Sequence, residues 1–183
     1  RLWRGGLNGK GVTIAVLDTG IDKNHPYFGK GQVEDGGNYT DHVYTNPMSK
    51  DSSGQSLYGK PDPRGEHGTH VASTIAGYVP QAKIINIKVL DEDAMFEMPS
   101  ELMHDLLQHL TSIVAGLKEV YDHNQAIIEG RAQGDKIDIV SMSLGLPFRN
   151  SVIFDFLNLD PLAGPIVDLV NQGVVVCVAA GNG

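Results

Sequence analysis

Val12-Thr13-Ile14-Ala15-Val16-Leu17 runs directly into Asp18-Thr19-Gly20. Six uncharged residues, mostly β-branched or apolar, read as a strand buried on both faces, and such strands belong to parallel sheets covered by helices. Asp18 then stands at the C-terminal end of the strand, the edge where open α/β sheets gather their ligands. Four glycines, Gly5, Gly6, Gly9 and Gly11, precede the strand. A dinucleotide-binding fingerprint needs its glycines after the strand, and Gly9-Lys10 lacks the spacing of a phosphate-binding loop, so nucleotide binding is set aside.

Working outward, three more segments read as strands: Ala82 to Leu90, Ile137 to Met142, and Val174 to Ala179. The stretch Gly65-Glu66-His67-Gly68-Thr69-His70-Val71-Ala72 opens a helix that Gly77 and Pro80 stop. Behind a cap near Met98-Pro99-Ser100, Leu102, Leu106, Leu110, Ile113, Val114, Leu117, Val120 and Tyr121 recur at three- and four-residue steps. They form one apolar face of a long helix, with His104, His109 and His123 read as solvated or rim residues. Pro165 to Asn171 reads as a short helix ended by Gly173. Residues 22–65 are mostly turn-forming, with weak strand signals only at Gln32 to Glu34 and Asn38 to Tyr44. Strands separated by helices imply right-handed crossovers, hence an α/β fold of three layers, α/β/α, around a mainly parallel sheet.

With 183 residues, 41% hydrophobic and 20% charged, the chain is expected to form one globular domain. A formal charge of -8 opposes binding to phosphate backbones, and no local basic patch offsets it, so nucleic acid is not an expected partner. The apolar run from Val174 to Ala180 is strand-sized, and no membrane span is expected. Cys177, the only cysteine, allows no internal disulfide and reads as a small buried hydrophobe within its strand.

Three polar groups fall at the proposed ligand edge. Asp18 ends a strand, His67 opens a helix, and Asn182 follows the last strand. A carboxylate can fix the tautomer of an imidazole, an imidazole can act as a general base, and an amide can stabilise an oxyanion. A zinc reading of His67 and His70 is weaker, because Glu66 precedes the first histidine and the spacing is not His-Glu-x-x-His.

Val16-Leu17-Asp18-Thr19-Gly20-Ile21-Asp22 with His25-Pro26, His67-Gly68-Thr69-His70-Val71-Ala72, Ser143-Leu144-Gly145 and Ala179-Ala180-Gly181-Asn182 together resemble the subtilisin-like serine proteases in residue type and order. The resemblance implies that residues 1–183 are the N-terminal part of a single peptidase domain, with a subtilisin-like sheet incomplete at its C-terminal side. It implies Asp18 and His67 as the first two members of a catalytic triad and Asn182 as oxyanion donor. Ser143, Leu144 and Gly145 would pair with an extended substrate peptide, and Ala179, Ala180 and Gly181 would line the pocket before the scissile bond. His70 and Asp22 match positions without a catalytic role, and His70 is expected to pack.

The family nucleophile lies in a Gly-Thr-Ser-Met-Ala block, absent from these 183 residues. The expected function is therefore serine endopeptidase with its serine beyond residue 183, this segment alone being inactive; the alternative is a peptide-binding pseudoprotease without a nucleophile. Protein or peptide substrates and the remaining C-terminal part of the domain are the expected partners. Catalysis is expected to need no cofactor or metal. A structural calcium ion is compatible with the acidic stretch Asp35 to Asp51, whereas the common calcium loop of the family is expected to be missing, since Ala76-Gly77-Tyr78-Val79-Pro80-Gln81 passes almost directly into a strand. The sequence does not fix a compartment, and the resemblance is compatible with secretion.

Overall fold

The computed structural model describes residues 5–40, 66–90, 102–144 and 161–180, with residues 102–108 described by their backbone alone. The segment Met98 to Ser100, most of the acidic stretch after Asp35, and Gly145, Gly181 and Asn182 lie outside the described residues. Within them the chain runs β1 (Thr13–Asp18), β2 (Val33–Asn38), α1 (Glu66–Tyr78), β3 (Lys83–Lys88), α2 (Leu102–Ile128), β4 (Ile139–Met142), α3 (Ala163–Asn171) and β5 (Val175–Val178). The strands form one sheet in the order β2-β3-β1-β4-β5, and every pairing is parallel.

Alternation along β1 distributes the two cores. Ile14 and Val16 pack with Ile84, Val33, Ala72 and Ala76 beneath α1. Ala15 and Leu17 point the other way, into a cluster with Ile87, Ile113, Leu117, Val140 and Leu169 beneath α2 and α3. Complete burial of each valine, leucine or isoleucine side chain among them contributes about 1.5–3 kcal/mol of hydrophobic transfer. The three layers expected from the sequence are thus α1, the sheet, and α2 with α3.

The weak strand signal at Gln32 to Glu34 falls on a strand, β2, whose sequence Val33-Glu34-Asp35-Gly36-Gly37-Asn38 has little strand propensity of its own; of the second signal, Asn38 to Tyr44, residues 41–44 lie outside the described residues. Tertiary contacts hold it. A Cβ on Gly36 would lie 2.9 Å from the Ile87 side chain and 3.0 Å from Glu119 Oε1, so the strand and α2 approach where a side chain would not fit. The Gly37 N–H lies 3.0 Å from both carboxylate oxygens of Glu119, and the Tyr39 hydroxyl donates to Oε2 at 3.0 Å. The Tyr39 N–H donates to the Lys88 carbonyl at 2.8 Å, and its own carbonyl accepts from the Ser112 hydroxyl at 2.8 Å.

β4 begins at Ile139 rather than Ile137. The buried Asn124 side chain occupies both backbone groups of Ile137, donating to its carbonyl at 2.9 Å and accepting from its N–H at 2.8 Å. Between α1 and β3 the connection is the four residues 79–82.

Two expectations about burial are corrected. Cys177 is exposed, not buried. On β5 it pairs in register with Ser141 of β4 and stands two residues from Val175, which is 58% exposed; both belong to the α1 side of the sheet, where no described helix lies over β5. His70 is also exposed, because Glu66, His70, Thr74 and Tyr78 recur at four-residue steps on the face of α1 turned away from the sheet.

Glu119 gives this fold a pH signature. Burial raises its pKa above the ordinary 4.5, opposed by the Gly37 N–H, the Tyr39 hydroxyl and the charge of His123. A raised carboxylate contributes stability that is fully present below the unfolded value and lost as pH rises through the folded one. Melting temperatures of the parent and of Glu119→Gln should therefore diverge in favour of Gln as pH increases from 4 towards 8; a difference that stays constant with pH contradicts this assignment.

Candidate active site

Asp18 occupies the last position of β1, in register with Lys88 of β3. By strand alternation its side chain shares the face of Ile14 and Val16, the side on which α1 lies. His67 is the second residue of α1. The two meet at 2.7 Å between His67 Nδ1 and Asp18 Oδ1, with Asp18 only 1% exposed and His67 30%. An ionised carboxylate can only accept, so the contact places the proton on Nδ1 and leaves Nε2 as the acceptor.

What allows this approach is the packing of α1 on the turn after β1. A Cβ on Gly68 would stand 2.2 Å from the Gly20 carbonyl oxygen and 3.2 Å from Asp18 Oδ1. Two hydroxyls then tie the helix start to the turn: Gly68 N–H donates to Thr19 Oγ1 at 3.1 Å, and Asp22 N–H donates to Thr69 Oγ1 at 2.9 Å. The geometry assigns Gly68 to helix docking and brings in Thr19 and Thr69, which stand inside the quoted motifs without a role there.

The electrostatics of the pair are under tension. Desolvation by burial is the largest influence on Asp18 and raises its pKa above the ordinary 3.8; the hydrogen bonds from His67 and the Thr19 N–H, the charge of His67 and the Thr19 hydroxyl all act in the opposite direction. The Thr19 N–H reaches Oδ1 at 2.7 Å, so that oxygen takes both close bonds, while the buried Oδ2 has no hydrogen bond of good geometry.

The other sequence-predicted positions divide. Ser143 and Leu144 follow β4, and Ala179 and Ala180 follow β5, at the same C-terminal edge as Asp18. Ala179 N–H still bonds the Met142 carbonyl at 3.0 Å, and both alanines are exposed. Leu144 turns its side chain into the core beneath α2, leaving its backbone as the group that can meet a peptide. Gly145, Gly181 and Asn182 fall outside the described residues, so the distance from Asn182 to His67 is not part of this geometry. Among the described residues no group of three His, Cys, Asp or Glu side chains is arranged to hold a metal, and no helix is long and apolar enough to cross a membrane.

A family model, that of the subtilase family, Peptidase S8, matches residues 9–183. The chain belongs to the subtilase family. It is 32% identical to the major intracellular serine protease of Bacillus subtilis over 99% of this chain and 46% of that protein. It is 30% identical to serine protease AprX of the same organism over 96% of this chain and 34% of that protein, and 28% identical to its subtilisin E over 97% and 36%. The chain therefore spans less than half the length of these curated relatives. Among solved structures, the prenylagaramide maturation protease PagA superposes with a TM-score of 0.55 at 20% identity, covering 99% of this chain and 50% of that one, a likeness of fold.

Two outcomes follow for the subtilase pair. Gly68→Ala forces a methyl group against a backbone carbonyl, and overpacking of about 3 kcal/mol outweighs the roughly 1 kcal/mol that alanine gains in a helix; denaturant titration should show net destabilisation, and a stabilised variant would sink the close-docking account. The melting temperatures of the parent and of Asp18→Asn should diverge in favour of Asn as pH rises from 3.8 towards 7, because a raised carboxylate loses its stability contribution as pH rises through the folded value. A difference that stays constant over that range would show that burial does not strain Asp18.

Proposed function

We propose that this chain is the N-terminal part of the catalytic domain of a serine endopeptidase, which hydrolyses peptide bonds by an Asp-His-Ser mechanism with its nucleophile beyond residue 183. The observation carrying this reading is the 2.7 Å bond between His67 Nδ1 and buried Asp18. With Nδ1 engaged, Nε2 accepts the proton of the serine hydroxyl as its oxygen attacks the substrate carbonyl. Asp18 holds the ring in that tautomer and stabilises the imidazolium, which then gives the proton to the leaving amine. The Asn182 side-chain amide donates to the oxyanion, a contribution of roughly 3–4 kcal/mol to the transition state where such a donor has been removed; that magnitude comes from a subtilisin, a member of this same family.

Substrate alignment in this reading is main-chain work. An extended peptide adds beside Ser143, Leu144 and Gly145, and Ala179, Ala180 and Gly181 bound the pocket for the residue before the scissile bond. The buried side chain of Leu144 supports the assignment of its backbone to that pairing. Each proton transfer is assigned to protein side chains, so the mechanism calls for no cofactor. The uncovered strip of Val175 and Cys177 on the α1 side is where the continuing half of the domain would pack, bringing the nucleophile towards His67.

The full-length protein should be labelled by a serine-directed fluorophosphonate and should cleave peptides, with His67→Ala or Asp18→Ala lowering kcat by roughly ten-thousand-fold or more. A full-length protein that takes no label, cuts no peptide and still binds peptides would move the assignment to a pseudoprotease; unchanged rates in both variants would remove Asp18 and His67 from catalysis.

A further inference from the structure

We propose that Thr19 is a positioning residue that joins the N-terminus of α1 to Asp18 as one unit, its hydroxyl oxygen holding the helix start and its N–H the carboxylate, keeping the His67 ring aligned while it carries a proton. The inference rests on the endopeptidase reading above. Thr19 is completely buried, and its Oγ1 accepts the Gly68 N–H at 3.1 Å. Gly68 directly follows His67, so whatever holds that N–H holds the backbone from which the imidazole hangs.

The Thr19 N–H holds the other member of the pair, donating to Asp18 Oδ1 at 2.7 Å. That same oxygen receives His67 Nδ1 at 2.7 Å, while Oδ2 is buried without a partner of good geometry. With both close bonds on one oxygen, a shift of the turn that carries Thr19 moves the acceptor away from the imidazole. Thr19 acts on that acceptor and on the helix start together. It touches neither substrate nor reacting atoms, which makes it a positioning group. The second tie, Asp22 N–H to Thr69 Oγ1, keeps α1 docked without the Thr19 hydroxyl, so its loss removes alignment before it removes the fold.

The test compares Thr19→Val, which keeps the shape without the hydroxyl, with Thr19→Ser, which keeps the hydroxyl, both in the full-length protein. Misalignment of reacting groups by about 1 Å can cost about a hundredfold in rate. Thr19→Val should lower kcat about tenfold to a hundredfold with KM within about twofold, and Thr19→Ser should restore kcat to within about threefold of the parent. The low-field proton resonance of His67 Nδ1–H should be lost or broadened by exchange in the valine variant and kept in the serine variant. Thr19→Ala, read in the same way, replaces a valine variant that does not melt cooperatively. Parent-like kcat and resonance in the hydroxyl-free variant overturn the inference, as does a serine variant as impaired as valine. If the parent itself cleaves nothing, the endopeptidase reading fails, and the resonance alone decides whether Thr19 aligns the pair.

Discussion

The alternation of side chains along β1 is the constraint from which the rest of the arrangement follows. Six buried residues leave no solvent face to which an error could be consigned. Ile14, Val16 and Asp18 must share one side, Ala15 and Leu17 the other. A slip of one residue would place the carboxylate beneath α2, in an apolar cluster without a polar partner, and push Leu17 towards the start of α1. The register against Lys83–Lys88 on one flank and Ile139 to Ser141 on the other fixes the strand from both sides. Core packing and site assembly are therefore decided by the same parity.

Two carboxylates, Asp18 buried and Glu119 half-buried, share the strain of desolvation, and their neighbours separate their uses. Glu119 is met by the Gly37 N–H and the Tyr39 hydroxyl, which fasten an edge strand of poor intrinsic propensity to α2. Asp18 is met by an imidazole that can itself become charged. In the first case the burden of burying a carboxylate maintains a backbone path. In the second, negative charge is held next to the group on which positive charge would develop during proton transfer, an arrangement that favours the charged intermediate over the resting state.

The sheet, the layer order and the Asp18 and His67 positions were legible because each rests on short-range chemistry: continuous apolar strands, a helix of period 3.6, and polar groups at strand ends. β2 was nearly invisible, since Val33-Glu34-Asp35-Gly36-Gly37-Asn38 is held by Glu119, more than 80 residues away along the chain. The start of β4 could not be read from Ile137 either, because the side chain of Asn124 claims its backbone. Cys177 looked buried since its neighbours are valines, but burial depends on what lies over a face, and a strand's sequence describes only one of the two surfaces in contact. Gly68 stands in the quoted motif without a role of its own, because the Gly20 carbonyl that its smallness admits lies 48 residues earlier in the chain.

The all-parallel order also sets a sequence of events in time. No two of the described strands can form a local hairpin, so each ladder must close a loop containing a crossover, and such closures are slow. Among the described strands β2 has β3 as its one neighbour, and β1 lies between β3 and β4. Until Lys83–Lys88 arrives, β2 has no mate among the described strands, and β1 can pair on one flank alone, with β4. The third strand thus ties the edge strand to the rest of the sheet, and it fastens both layers as it does so, Ile84 entering the core beneath α1 and Ile87 the core beneath α2.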